Sequence, residues 1–303
     1  MGKCLFLPNT ESHKRCMFLP KSGICGCVGE PSKCMWLPSN GKCGCFDEIP
    51  KIPTAVLYND GTLVFTPTQF FDKNTRGGVQ KTYTDWMGES YSSGGAPWYS
   101  DRTLISNVIF EDELANPGNL TYFFYKLTNL ISVKLCESIT EIGQSVFESC
   151  SNLEKVYAGN LTRFTKIGNA AFENCSKLTF DGENLDFGGV KSFGDYAFYK
   201  CANLSGKLIV GENNYTTLGF GCFQGCSNIN SLHIGDGVSS ISKQYVFAQC
   251  NNITEISGME KVTSIAYSNS FYTNDSVDTT IETTNDFVKN YDWSATDRNV
   301  TFV

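Results

Sequence analysis

Eight side chains able to bind a soft metal fall within the first 45 residues: Cys4, His13, Cys16, Cys25, Cys27, Cys34, Cys43 and Cys45. Their spacing repeats. Cys16 to Cys27 and Cys34 to Cys45 each follow a Cys-x8-Cys-x-Cys frame, and a partial copy precedes them, with Cys4 answered at the same spacing by His13. Eight such ligands are the number two closed tetrahedral zinc sites require. The Cys-x-Cys pairs favour metal, because residues two apart on a strand lie on one face and can offer both thiolates to one ion. Two structural zinc ions are therefore expected here. Seven cysteines are an odd count for an all-disulfide unit, and nothing in the sequence signals an oxidising compartment. Disulfides, or a reduced segment ordered by a partner, remain the rival readings, and spacing alone does not say which ligands share an ion.

Elsewhere the chemistry is sparse. There are only two histidines, His13 and His233, so no Ser-His-Asp or Cys-His arrangement stands out. Gly219-Phe220-Gly221 is followed by Gln224 where a dinucleotide fingerprint needs glycine. Cys150, Cys175, Cys201, Cys226 and Cys250 all hold one phase of a repeat. They are expected to be buried free thiols in one column, serving as small apolar fillers. Cys222 occupies a slot filled elsewhere by Val146, Ala171, Ala197 and Val246, and needs no special role. No enzymatic activity is expected.

The repeat that carries those cysteines organises the rest of the chain. Phe-x-x-Cys-x-x-Leu/Ile recurs from Phe147, Phe172, Phe198, Phe223 and Phe247, with degenerate copies at Phe124 and Phe271; the steps are 23, 25, 26, 25, 24 and 24 residues. A fixed period of this length marks a solenoid, whose single turns cannot bury their apolar faces alone. An aliphatic-Gly or Phe-Gly pair precedes four of the phenylalanines (Ile142-Gly143, Ile167-Gly168, Phe193-Gly194, Leu218-Gly219), with Ile241-Ser242 and Ile265-Ala266 in the last two copies. After each leucine comes a short alternating stretch, such as Ser132-Val133-Lys134. Such alternation reads as a half-buried strand. Stacked at roughly 4.8 Å, seven such strands give a parallel sheet along a rod of roughly 30 Å. The Phe-x-x-Cys segments should carry the opposite wall, as a short helical turn or an irregular loop. The fold class expected is mainly β: a leucine-rich-repeat solenoid of about seven turns with amino- and carboxy-terminal caps, preceded by a small Cys-rich hairpin module.

Copies such as Ala171-Phe172-Glu173-Asn174-Cys175-Ser176-Lys177-Leu178 resemble the BspA-type leucine-rich repeat. Gly61 to Phe65, Pro97 to Ser100 and Ile105 to Phe110 resemble that family's amino-terminal capping segment. The resemblance covers roughly residues 54–303. It implies a non-catalytic surface molecule that binds host proteins, other cells or matrix.

The expected organisation is a hairpin module at 1–48, a linker and cap at 49–103, repeats at 104–276 and a closing cap at 277–303. Trp86 and Trp98 are candidate plugs over the first turn, and Phe287-Val288 with Asn299 to Val303 reads as a closing strand. Asn129, Asn152, Asn203, Asn228 and Asn252 precede the repeat leucine or isoleucine, where an amide is expected to bond backbone of a neighbouring turn; glycosylation at the overlapping sequons is not expected.

Net charge of −7 with no basic stripe argues against nucleic acid, and no apolar run reaches the roughly 20 residues of a membrane span. The start, Met1 to Pro8, is too interrupted for a secretory signal. Outward strand positions Lys134, Lys155, Tyr157, Ser231, His233 and Glu255 form a mixed set without dominant charge. A protein or glycan ligand is expected on that face, with an assembly partner on the amino-terminal module. The preferred reading is a recognition or adhesion rod of a phage virion surface or tail; the alternatives are an intracellular scaffold or a cell-surface adhesin.

Overall fold

A computed structural model describes residues 52–303, apart from 69, 70, 85, 88, 213, 214 and 275. Of the first 51 residues it describes the backbone of five short strands: Cys4–Phe6, Cys16–Leu19, Ile24–Cys27, Cys34–Leu37 and Lys42–Cys45.

The repeat phenylalanines form the spine of a parallel β-solenoid of about eight turns. Their rings stack from turn to turn, with centroids 5.3 Å apart for Phe124–Phe147, 5.1 Å for Phe147–Phe172 and for Phe172–Phe198, 5.3 Å for Phe198–Phe223 and 5.7 Å for Phe223–Phe247. The interplanar angles of 17, 16, 3, 9 and 9° make this a nearly coplanar column. Each ring is shielded by the next, so the apolar surface that one turn cannot hide alone is removed from water by stacking.

The wall carrying the phenylalanines is irregular, and only its last turn forms a short 3-10 helix, Ser268–Phe271. Two residues per turn, flanking the phenylalanine at two positions to either side, adopt left-handed backbone: Ser145 and Ser149 (φ 52° and 61°), Ala170 and Asn174 (52° and 61°), Tyr196 and Lys200 (58° each). That conformation costs of order 1 kcal/mol for a non-glycine residue. Backbone bonds to the following turn offset it: Ser149 N–H donates to Glu173 at 2.7 Å, Asn174 N–H to Tyr199 at 2.8 Å and Lys200 N–H to Gln224 at 2.8 Å.

The five repeat cysteines are buried and free, and they do more than fill space. Each thiol donates to the carbonyl of the preceding turn's phenylalanine: Cys150 to Phe124, Cys175 to Phe147 and Cys201 to Phe172 at 3.0 Å, Cys226 to Phe198 and Cys250 to Phe223 at 3.2 Å. Burial holds these thiols protonated, pushing Cys250 up to about 12. Cys201→Ala removes one such bond and opens a small cavity, so a loss of roughly 1–2 kcal/mol is expected, read as a lower urea midpoint at unchanged slope.

The strand face departs from the single sheet expected. Asn107–Phe110, Ser132–Lys134, Lys155–Tyr157 and Thr179–Phe180 continue one seven-stranded sheet, which includes the capping strands Thr54–Tyr58, Thr62–Thr66 and Val79–Tyr83. Leu185–Phe187 then begins a second sheet of six strands, through Gly206–Val210, Ile229–Ile234, Glu255–Gly258, Val277–Glu282 and Arg298–Phe302. The break falls within one turn, which supplies two strands between Leu178 and Phe193: Thr179–Phe180 ends the first sheet and Leu185–Phe187 starts the second. Phe180 and Phe187 fill the interior there edge to face, 5.7 Å apart.

A further ladder was absent from the sequence reading. Glu141–Ile142, Lys166–Ile167, Ser192–Phe193 and Thr217–Leu218 form a narrow four-stranded parallel sheet, and Ser240–Ile241 pairs separately with Ser264–Ile265. The aliphatic-Gly pairs explain it. A Cβ on Gly168, Gly194 or Gly219 would lie 2.5, 2.3 or 2.4 Å from backbone of the preceding turn. The long ladder stops where glycine gives way to Ser242 and Ala266.

Both ends are plugged. Trp86 and Trp98 are fully buried; both meet Phe65 edge to face, at 4.7 and 5.1 Å, and Trp98 Nε1 donates to Phe123 O at 2.7 Å. At the far end Trp293 packs on Phe271 at 5.2 Å. The closing strand is Arg298–Phe302, but Phe287 and Val288 lie in the one-turn helix Asp286–Lys289, correcting their reading as strand. Asn285 caps that helix through Phe287 N–H, a local bond that the sequence pattern of two apolar residues does not reveal. The amides of Asn129, Asn152 and Asn203 donate to carbonyls of the previous turn (Thr103, Thr128 and Lys177), as expected.

Candidate functional site

The outward residues of the first sheet line an open groove of about 940 Å³. Lys134 and Tyr157, both expected on this face, lie in it beside Asn107, Ser132 and Ile109. Parallel pairing in register sets them in rows: Asn107, Ser132 and Lys155 in one, Ile109, Lys134 and Tyr157 in the next. The groove's ends come from segments outside the repeat pattern. Asp60 belongs to the capping hairpin and Arg76 to the 3-10 turn Thr75–Gly77 after it, while Asp112, Glu137 and Asp181 come from loops that follow the strands and Arg163 from the 3-10 turn Leu161–Arg163.

Most of its charges already have partners. Lys134 Nζ lies 3.0 Å from Asp112, and Arg76 lies 3.6 Å from Asp60. Asp181 accepts from the backbone of Ala158 and Gly159 at 2.9 and 3.2 Å, closing the end of the first sheet. Arg163 donates to the carbonyls of Ile139, Ala158 and Cys136, clamping two turns together. Burial lowers its pKa from the ordinary arginine value. Lys155 is half-buried, bonded through Nζ to Phe180 O at 2.6 Å, with its ammonium 6.0 Å from the Tyr157 ring. Tyr157 itself is 48% exposed, a large ring facing solvent in a groove whose lining mixes polar groups with Val108, Ile109 and Leu135.

The other expected positions lie on the second sheet. Ser231 and Glu255 line a smaller hollow of about 360 Å³ with Lys207, Ser257, Thr280 and Glu282. His233 lies on the outward side, as alternation predicts, and is engaged there: its Nδ1 lies 2.8 Å from Ser257 Oγ and its Nε2 2.7 Å from Glu212 Oε1. Those are the members of a hydrolytic relay, yet the histidine and glutamate side chains are 26% and 41% exposed on the open strand face. The row works as a clip across three successive turns. The structure thus divides the expected ligand-binding set: Lys134 and Tyr157 share the large groove, Lys155 supports its floor, and His233 and Glu255 stand apart on the second sheet.

Of the expected metal ligands, Cys4, Cys16, Cys25, Cys27, Cys34, Cys43 and Cys45 lie in strands whose backbone is described, and His13 lies outside the described residues. The groove-lining Asp60, Arg76, Asp112, Arg163 and Asp181 escaped the sequence reading.

The family model of the BspA type leucine rich repeat region matches residues 96–180 and 182–297, in six copies. The chain belongs to the BspA-type leucine-rich repeat family. Solved structures similar to it include a leucine-rich repeat protein from Eubacterium ventriosum, 15% identical with a TM-score of 0.44, covering 78% of this chain and 72% of that one. A leucine rich cell surface protein from Faecalibacterium prausnitzii is 19% identical with a TM-score of 0.40, covering 79% and 55%. A leucine-rich repeat protein from Bacteroides ovatus is 16% identical with a TM-score of 0.38, covering 85% and 77%. No curated protein matches the sequence. BspA-type leucine-rich repeat proteins are typically non-catalytic, and proteins of the repeat class generally bind proteins. Among the described residues no helix is long and apolar enough to cross a membrane.

Proposed function

We propose that the chain is a non-catalytic recognition rod that holds a protein or glycan ligand in the groove of the first sheet, and that its amino-terminal hairpins join it to a larger assembly. The observation that carries this reading is the groove's electrostatic state. Its lysine and arginine charges are tied to Asp112, Asp60 and backbone carbonyls, while the Tyr157 ring stays 48% exposed. A polyanion would find few free cations there. A neutral or mixed surface finds an aromatic anchor bordered by hydroxyl and amide groups, the residue type that dominates binding energy at protein interfaces.

Protein and glycan arrays probed with the full chain would supply a ligand. Tyr157→Ala is then expected to weaken binding roughly 10- to 100-fold, and raising salt from 50 to 200 mM is expected to change affinity less than about threefold, against the thousandfold losses of phosphate binders. Affinity unmoved by Tyr157→Ala, or collapsing over that salt range, would remove the groove from consideration.

A further inference from the structure

The wall that carries the repeat phenylalanines also bears partly exposed aromatic rings, and in three successive turns these touch one another. Tyr196 meets Tyr199 edge to face at 5.3 Å and Phe220 of the next turn at 5.2 Å, and Phe220 meets Tyr245 of the turn after at 5.6 Å. Tyr196 is 37% exposed, and the other three rings are half-buried. The row is held in place. A Cβ on Gly221 would come 3.2 Å from Tyr196 Cε1, so the bare backbone of one turn is the bed on which the ring of the preceding turn lies. Lys200 Nζ sits 5.0 Å from the Tyr199 ring centroid, a cation–π contact. Rings fixed in advance lose little freedom when a ligand arrives.

We propose that this row is a second binding site, distinct from the groove, for a linear neutral glycan lying along the rod. The complementarity is electrostatic. An aromatic ring is negative over its face, and the axial C–H groups of a pyranose present an electropositive face to it. Ring contacts between turns recur at 5.2 and 5.6 Å, so an extended chain of sugar units meets one ring after another. Amides stand ready for the sugar hydroxyls. Gln224 Oε1 would lie 3.1 Å from the same Cβ on Gly221, beside the Tyr196 ring, and Gln244 precedes Tyr245. Among the described residues neither side-chain amide has a hydrogen-bond partner. The nearby charges oppose each other: Lys200 is within Coulomb reach of Glu173, and Asp195 accepts from Phe220 N–H at 2.8 Å. Neither sign is left to select an ionic ligand.

The surroundings of the rings favour sugar over protein. Across 194–203, 219–228 and 242–252 the only aliphatic side chain larger than alanine is Val246, and it is fully buried. The core of a protein interface is rich in apolar side chains, and this wall offers only rings, amides and small residues.

Isothermal titration of the full chain with linear oligosaccharides of the cellulose, chitin and amylose types tests the proposal. At least one type is expected to bind, with affinity rising with chain length until the sugars outrun the row. Tyr196→Ala is expected to weaken that binding about tenfold or more, while Tyr196→Phe, which keeps the ring, weakens it less than about threefold. Gln224→Ala, at an amide with no partner to lose, should lower affinity at an unchanged melting temperature, a readout that stands even if Tyr196→Ala folds poorly. No binding of any of the three sugars at millimolar concentration would overturn the proposal. So would titrations left unchanged by both Tyr196→Ala and Gln224→Ala. Tyr157→Ala, which tests the groove, should not alter binding at this row, so either reading can fail alone.

Discussion

Gly194→Ala is expected to lower folding stability by roughly 3 kcal/mol, the upper end of what a forced extra methyl group costs in a packed interior. The new Cβ would stand 2.3 Å from Asn169 N and 2.6 Å from the Gly168 carbonyl carbon. Those atoms are backbone, fixed in the Gly194 N–H to Ile167 bond of 2.8 Å and the Asp195 N–H to Asn169 Oδ1 bond of 3.0 Å, and they cannot rotate aside. Relief requires the two turns to separate, which loosens the Phe172–Phe198 stack across the same step. The molecule contains its own control. Ser242 fills the slot of a later copy, and at that step the four-stranded ladder has already ended, so Ser242→Gly should shift stability by no more than about 1 kcal/mol. Chemical denaturation of both variants checks the contrast. Equal melting of Gly194→Ala and wild type would show that this spacing is not set by the glycine.

The repeat was legible because its core residues recur with the turn. Phe147, Phe172, Phe198, Phe223 and Phe247 must stack, and Leu153, Leu178, Leu204, Ile229 and Ile253 must fill the same position beside them; all are fully buried or nearly so. A constraint imposed once per turn leaves a period in the sequence. The thiol bonds left no such mark, since a buried apolar cysteine and a donating one are the same letter. The split of the strand face left almost no mark: Leu178 to Phe193 is one residue longer than Leu153 to Ile167 or Leu204 to Leu218, and one residue of length does not say where a turn divides.

The groove was half legible for a related reason. Alternation placed Lys134 and Tyr157 outward, because a strand with one buried side must face its other residues to solvent. It could not supply Asp60, Arg76 or Asp181, which reach the groove from loops whose course depends on the three-dimensional stack. His233 shows the limit from the other direction. Its outward direction followed from alternation, but its partners Glu212 and Ser257 belong to the turns before and after, and adjacency of turns is not adjacency in sequence.

Arg298 is the residue the sequence concealed most completely, and its replacement carries the other large effect. Flanked by Asp297 and Asn299, it reads as a surface charge on a closing strand, yet it is 5% exposed. Its Nε donates to Phe271 O at 3.0 Å, Nη1 to Ile253 O at 2.8 Å and Thr279 Oγ1 at 3.0 Å, and Nη2 to Cys250 O at 3.0 Å. The Nε bond spans 27 residues back to a phenylalanine carbonyl, the same span as the Cys250 thiol bond to Phe223. The guanidinium thus continues the thiol series past its last cysteine and ties the closing strand to the final turns. Burial pulls its pKa down to about 10, which still leaves it charged at neutral pH. Arg298→Met keeps the bulk but strands up to three carbonyls and a hydroxyl. Losing them is partly offset by no longer burying a charge, so a net loss of roughly 2–4 kcal/mol is expected. Arg298→Lys should fall between, because an ammonium keeps the charge but cannot present the planar fork that meets all four acceptors. Thermal unfolding of the two variants decides it: a methionine variant that melts with the wild type, or a lysine variant worse than methionine, would mean the clamp contributes no net stability.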